Sequence, residues 1–250
     1  MRIMVINPNT SADFTESIDL IAQSVKSSDT EIVCTNPSFG PASIESEFDE
    51  ILSSVPCFDV IISSKDDFDA FVIACYGNHP VVHSAREFLS QPVVGIMESS
   101  LHLASMIGHR YSIITSGERA TTMFRNGVKA MGLENQCASI RHTSTPVLAL
   151  AGDEKETVYQ LILAESRKAI EEDVAEVISL GCAGMVGFAE RLTDELGVPV
   201  IDGVVAGVKV AEALVACGLK TSKRLAYKPL EPKELIDMPN FLLSAYLESN

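Results

Sequence analysis

The chain has 250 residues, of which 46% are hydrophobic and 21% charged, so it is long enough for one large core or two smaller ones. A formal net charge of −15, no Trp and few aromatic residues argue against nucleic-acid and anionic-membrane partners. No apolar stretch approaches the ~20 residues of a membrane span, and neither a secretory signal nor a Cys-x-x-Cys pair is present. We therefore expect a cytoplasmic protein whose six cysteines are reduced thiols.

Short β-rich runs alternate with helical stretches along the whole chain. The predicted strands are Arg2–Asn7, Glu31–Thr35, Phe71–Ala74, Val93–Ile96, Tyr111–Thr115, Gln136–Arg141, Val177–Leu180 and Val198–Asp202. The predicted helices are Ala12–Val25, Glu45–Val55, His83–Leu89, Ser99–Ile107, Arg119–Met131, Glu154–Glu172, Phe188–Leu196 and Val204–Cys217, with a last apolar stretch at Leu235–Leu247. Several strands are continuously apolar, which is typical of parallel sheets covered on both faces, so we predict an α/β fold with right-handed crossovers.

The pattern repeats at a constant spacing. Cys75 and Cys182 lie 107 residues apart, and each stands where an apolar run gives way to glycine. A Pro-Val pair follows each cysteine at the same distance, at Pro92 and at Pro199. The repeat therefore predicts two similar α/β units, the first ending near residue 97 and the second ending near residue 202.

The two cysteines are the strongest candidates for chemistry. Ligands of open α/β sheets bind beyond the carboxyl ends of the strands, where both cysteines fall. Glycine-flanked turns let backbone N–H groups approach a ligand, and a nearby helix start would lower a thiol pKa toward neutrality. Two thiols on opposite faces of a carbon suit racemisation or epimerisation, with one as thiolate base and the other as acid. Such a scheme needs neither a metal nor an organic cofactor.

Simpler interpretations remain open beside this one. Free cysteine is among the most buried residue types, so Cys75 and Cys182 could both be core residues. His79 and His83 have a spacing that some metal ligands use, with Glu87 four residues further on, but Pro80 interrupts the pair and we expect a helix start there. His79 could still contact a substrate. The chain contains no dinucleotide fingerprint, phosphate-binding loop or Gly-x-Ser-x-Gly elbow.

Several short motifs together resemble the aspartate/glutamate/hydantoin racemase superfamily, and most of all its hydantoin and allantoin racemase branch. They are Val5-Ile-Asn-Pro-Asn-Thr-Ser11, Gly40-Pro-Ala-Ser-Ile-Glu45, Ile73-Ala-Cys75, Pro92-Val-Val-Gly-Ile-Met-Glu98, Pro146-Val-Leu148 and Gly181-Cys-Ala-Gly-Met185. The resemblance covers about residues 1–217. It implies two pseudo-symmetric parallel-sheet α/β domains, with the active site in the cleft between them. It also implies that residues 204–250 return to the first domain, residues 1–97, while residues 98–203 form the second.

The resemblance further implies cofactor-independent racemisation by Cys75 and Cys182, and assembly into a homo-oligomer. The residues that it implies for binding a small-molecule substrate are Asn9, Tyr76, Gly77, Asn78, Thr115, Ser116, Ala183 and Gly184. One departure stands out: this branch usually has Phe-Gly-Asp-Pro-Gly after the first cysteine, where this chain has Tyr76-Gly-Asn-His-Pro80. The variant resembles a fungal subgroup and leaves both thiols intact.

Our first hypothesis is a racemase of a hydantoin or an allantoin-like ureide. A second is another cysteine-dependent enzyme of the same fold: a cis–trans isomerase, in which one thiol attacks a double bond, or a decarboxylase, which the presence of both cysteines disfavours. A third is a ligand-binding relative without catalytic activity, which the altered run after Cys75 favours. Thiol reactivity at neutral pH separates the third hypothesis from the first two.

Overall fold

The computed structural model describes residues 1–147, 149 and 155–247; Leu148, Glu154 and residues 248–250, which the sequence predictions include, lie outside the described residues. The strands of the described part are β1 Arg2–Ile6, β2 Glu31–Thr35, β3 Ala70–Ile73, β4 Val93–Gly95, β5 Tyr111–Thr115, β6 Cys137–His142, β7 Val177–Leu180 and β8 Val200–Ile201. Its α-helices are α1 Ala12–Val25, α2 Glu47–Ser64, α3 Pro80–Phe88, α4 Ile96–Ile107, α5 Glu118–Ala130, α6 Lys155–Glu171, α7 Ala189–Leu196, α8 Gly203–Ala216 and α9 Asn240–Leu247. Within these ranges, no helix is both long enough and apolar enough to cross a membrane.

Two four-stranded parallel sheets have the same topology. The first has the strand order β2-β1-β3-β4 and the second has the order β6-β5-β7-β8. The central strands β3 and β7 are buried along their full length and are offset by 107 residues, the spacing of the two cysteines. The predicted α/β fold with two pseudo-symmetric parallel sheets is therefore confirmed.

Local signals explain where the helices begin and end. The Ser11 hydroxyl accepts a hydrogen bond from the Phe14 N–H at 3.3 Å and so caps the start of α1. Gly197 follows α7 with φ of +69°, and Gly218 follows α8 with φ of +67°. Glycine enters this left-handed region without steric cost, so both residues suit the ends of their helices.

The helix α2 is the largest departure from the predicted elements. The prediction ends this helix at Val55, but the helix continues to Ser64 and includes Pro56, which lacks a backbone donor. Its later turns bury Cys57 and Ile61 in a cluster with Phe71 and Ile73 of the first sheet. Burial of this apolar face outweighs the cost of the proline.

The end of the chain packs against its beginning. Helix α8 packs against α1, α4 and β3, and α9 packs against α2. The contact of α8 with the first sheet is close, because a methyl group on Gly207 would lie 2.8 Å from Cγ1 of Val72. Helix α4 contacts strands of both sheets, and the boundary predicted near residue 97 falls in its first turn. The exact domain limits stay a prediction.

Candidate active site

A cavity of about 400 Å³ opens at the carboxyl ends of the central strands of both sheets. Its lining includes Asn7 beyond β1, Cys75 beyond β3, Thr115 at the end of β5 and Cys182 beyond β7. This edge of a parallel sheet is where α/β proteins bind ligands, and the volume is in the usual range for small-molecule sites.

Equivalent backbone bonds place the two cysteines. The Ala74 N–H donates to the Ile6 carbonyl at 2.8 Å, and the Gly181 N–H donates to the Ile114 carbonyl at 2.7 Å. Each bond extends the sheet by one residue beyond its strand, so the next residue is the first to leave the sheet. That residue is Cys75 in one half and Cys182 in the other, and both face the same cavity.

The surroundings of the thiols raise their pKa values. Burial raises the pKa of Cys75 well above its usual value, and the charges of Glu50 and Cys182 add to the effect. Burial also raises the pKa of Cys182, to about 11, although the Gly184 N–H donates to its Sγ at 3.4 Å and opposes the rise. The sequence-based expectation of lowered pKa values is therefore wrong. At Cys182, burial outweighs the backbone donor of the short 3-10 turn that begins at Ala183.

The loop after β1 is held by the buried amide of Asn7. Its Nδ2 donates to Oδ1 of Asn9 at 2.9 Å and to Oγ1 of Thr15 at 3.0 Å. Oδ1 of Asn9 also accepts from the Ser11 N–H at 2.9 Å. The Asn9 oxygen is thus occupied inside the loop, whereas its Nδ2 has no partner in the described part of the chain and remains a donor for a ligand carbonyl. We did not select Asn7 from the sequence, although its place directly after a buried strand is a signal.

In the second half, Thr115 and Ser116 occupy the matching position. The Thr143 N–H donates to the Thr115 carbonyl at 2.9 Å and the Thr145 N–H to the Ser116 carbonyl at 3.0 Å, which fixes the turn. Thr115 Oγ1 donates to the Gly181 carbonyl at 3.4 Å. The Ser116 hydroxyl lines the cavity and makes no hydrogen bond within the described ranges, so it is the better placed of the two to bind a ligand.

Tyr76 lines the cavity but uses its hydroxyl elsewhere. Its OH is 2.6 Å from Oγ of Ser179 in β7, and both groups are buried. Its ring packs at 5.1 Å, centre to centre, against Phe124 of α5. The residue predicted as a substrate contact therefore also links the strand ends of the first sheet to the second.

The other predicted residues divide into two groups. Ala183 and Gly184 line the cavity in a short 3-10 turn that follows Cys182. Gly77 and Asn78 are not among the residues that line it. Asn78 directs its Oδ1 toward Nε2 of His83 at 3.2 Å.

His79 has a structural role in α3. Its Nδ1 accepts from the Val81 N–H at 3.3 Å and its Nε2 lies 3.0 Å from Oγ of Ser53, so the ring caps the helix from a fully buried position. Burial lowers its pKa to about 4, which keeps the ring neutral. Across the described residues, no group of three or more His, Cys, Asp or Glu side chains is placed to hold a metal ion.

The acidic lining of the cavity, which includes two residues of the first turn of α2, was not predicted from the sequence. Among the described residues that line the cavity, Glu45, Asp49, Glu50 and Glu118 are acidic and one, Arg119, is basic. Glu50 is only 8% exposed, and burial, followed by the charge of Glu47, raises its pKa to about 7. An acidic residue on an amphipathic helix ordinarily indicates a solvated face, so nothing in the local pattern distinguishes Glu50.

Residues 3–211 match the model of the Asp/Glu/hydantoin racemase family. The chain belongs to this family. It is 48% identical over 237 residues to a hydantoin racemase from a Pseudomonas species, strain NS671, and the match covers 94% of each chain. The fold matches the crystal structure of an allantoin racemase from Pseudomonas fluorescens with a TM-score of 0.91, at 40% identity over 94% of this chain and 100% of that one.

An allantoin racemase from Klebsiella pneumoniae gives the same result, with a TM-score of 0.92 at 39% identity over 98% of both chains. These racemases are similar to the protein over nearly its whole length, and together with the family they make it an isomerase of the racemase type. The expected membership of a fungal subgroup stays a prediction.

Proposed function

We propose that the protein racemises a 5-substituted hydantoin or an allantoin-like ureide, with Cys75 and Cys182 as the acid–base pair. One observation carries the proposal: two thiols from equivalent strand ends of two like sheets line a single cavity of about 400 Å³. The substrate class is supported by the long, full-length similarity to hydantoin and allantoin racemases.

In the proposed reaction, the thiolate of one cysteine removes the proton from the ring carbon that carries the substituent. The electrons of the broken C–H bond move into the adjacent ring carbonyl and form an enolate. The thiol of the other cysteine then gives its proton to the opposite face of that carbon. The first cysteine ends as a thiol and the second as a thiolate, which is the starting state for the opposite enantiomer.

The two thiols differ in how well their surroundings stabilise the thiolate form. The Gly184 N–H stabilises a thiolate on Cys182, whereas a thiolate on Cys75 faces the Glu50 carboxylate. We therefore assign the resting thiolate to Cys182 and the resting thiol to Cys75. A thiol whose pKa is raised is rarely ionised at neutral pH, but its thiolate is the stronger base. The Asn9 amide and the Ser116 hydroxyl are the donors that we assign to the ring carbonyl oxygens.

Polarimetry on enantiopure allantoin and a series of 5-substituted hydantoins tests this function, with aspartate and glutamate for comparison. We expect loss of optical rotation on the ureides without added cofactor. Cys75→Ser and Cys182→Ser should each lose about 10²–10⁴-fold in rate, the usual contribution of a positioned acid or base. Cys217→Ser, an exposed cysteine after α8, is the matched control and should retain activity. Full racemisation by both active-site variants, or turnover of the free amino acids alone, would contradict the proposal.

We also propose that the chain assembles with copies of itself. Phe48, Ile51 and Leu52 are exposed on one side of α2, and exposed apolar groups that cluster in this way are typical of interfaces. Light scattering on the purified protein should give more than one chain mass, and a monomer at micromolar concentration would oppose this assembly.

A further inference from the structure

Among the described residues that line the cavity, Glu50 is the acidic residue that is buried and whose side chain has no protein partner. It lies in the first turn of α2 and is 8% exposed, and its carboxylate makes no hydrogen bond or ion pair within the described part of the chain. Its Oε1 lies directly over Gly77, where a side-chain methyl group would collide with it. The carboxylate therefore stands beside the turn that follows Cys75.

The other acidic residues of the cavity differ from Glu50. Asp49 accepts hydrogen bonds from the Ser46 hydroxyl at 2.7 Å and the Glu45 N–H at 3.1 Å, which occupies it at the start of α2. Glu45 accepts from the Ser43 hydroxyl at 2.7 Å. Glu118 is exposed to solvent. Among the described residues that line the cavity, Glu50 is thus the buried acidic residue whose carboxylate has no protein partner and faces the cavity.

A buried carboxylate without a partner is costly, and a ligand that donates N–H groups or carries a positive charge would compensate it. The raised pKa of Glu50, about 7, reflects this lack of compensation. Above that pH the carboxylate is ionised and repels any anionic group that enters the cavity. Ureides are rich in N–H donors and therefore fit such a site.

We propose that Glu50 binds substrate N–H groups and makes the cavity select ureides with neutral or cationic substituents over those with a carboxylate substituent. This inference rests on the proposed function and adds the charge class of the substrate. It places the selection on the Cys75 side of the cavity, because Glu50 lies over Gly77.

Two isosteric substrates isolate the effect of charge. We would measure kcat/KM at pH 8 for enantiopure 5-(2-carbamoylethyl)hydantoin and 5-(2-carboxyethyl)hydantoin. The two differ only in that the first ends in an amide and the second in a carboxylate. The wild-type protein should prefer the amide at least about tenfold, the factor that ~1.4 kcal/mol of like-charge repulsion produces. Glu50→Gln should reduce the preference about fivefold or more, mainly through faster turnover of the carboxylate. Glu16→Gln, the same change at an exposed position of α1 away from the cavity lining, should leave it unaltered.

A binding measurement separates this inference from the proposed function. The 5-methyl derivatives of the same two hydantoins cannot racemise, because the reacting carbon carries no hydrogen, so calorimetry reports their affinity alone. If the wild-type protein binds the amide derivative more tightly while turning over no hydantoin, the proposed function fails and the inference stands. Equal affinity or equal turnover of the two isosteres by the wild-type protein would overturn the inference, whether or not the Glu50 variant folds. An unchanged preference in a folded Glu50→Gln protein would overturn it as well.

Discussion

Replacing Glu50 by glutamine should stabilise the protein in a way that depends on pH. Burial raises the pKa of this carboxyl from 4.5 to about 7. Between these values the folded state binds more protons than the unfolded state, so the free energy of unfolding falls as the pH rises through this window. Each pKa unit corresponds to ~1.4 kcal/mol, which makes the full cost of ionised Glu50 ~3 kcal/mol above pH 7. Water in the cavity screens the charge, so we expect a gain of about 1–3 kcal/mol for Glu50→Gln at pH 8.

Urea unfolding followed by circular dichroism at pH 4, 5.5 and 8 measures the effect. The difference between variant and wild type should be largest at pH 8, smaller at pH 5.5 and close to zero at pH 4, where the wild-type carboxyl is protonated in both states. Glu16→Gln, at an exposed position of α1, serves as the control and should change stability by less than ~0.5 kcal/mol, as most surface substitutions do. A Glu50→Gln protein that is no more stable than wild type at pH 8, or equally stabilised at pH 4, would refute the reasoning.

Three further predictions concern packing, the link between the sheets, and the thiols. Gly207→Ala should lower the free energy of unfolding by about 1–3 kcal/mol in urea titrations, because its methyl group would overpack the contact of α8 with Val72, and unchanged stability would contradict the close approach. Tyr76→Phe and Ser179→Ala should each lower the free energy of unfolding by ~1 kcal/mol, and the double variant should lose less than the sum of the two losses. Strictly additive losses would mean that the two hydroxyls do not interact. Iodoacetamide at pH 8 should alkylate Cys182 faster than Cys75 in peptide mass spectrometry, because only the Cys182 thiolate is stabilised by a backbone N–H; a faster Cys75 would reverse our assignment of the resting thiolate.

The sequence was sufficient for most of the architecture. Hydrophobic runs and glycine punctuation place β2, β5, β7 and α1 at their observed limits, and the 107-residue spacing reveals the equivalence of the two sheets. These features depend on residues that are close together in the sequence, so they can be recognised from a single sequence. The extent of α2 was missed because local propensity opposes Pro56, while burial of the later turns in the folded protein decides in favour of helix.

The site was predicted less completely, for a different reason. The thiols and the glycine turns are adjacent to strand ends, so their place follows from the chain order. Glu50 reaches the cavity only because the first turn of α2 lies beside the strand ends, and no short-range pattern encodes that placement. The pKa of each thiol likewise depends on how deeply the folded protein buries it. The residues that bury it come from segments far apart in the sequence.

The unlike surroundings of the two cysteines have a thermodynamic consequence. Cys75 faces an acidic side chain and Cys182 a backbone donor, so the cavity presents different groups to the two enantiomers of a substrate. Mirror-image molecules have equal free energies in water, which fixes their equilibrium constant at one and forces kcat/KM to be the same in both directions. The asymmetry of the cavity can therefore change kcat and KM only in proportion, and the enantiomer with the lower KM must also have the lower kcat.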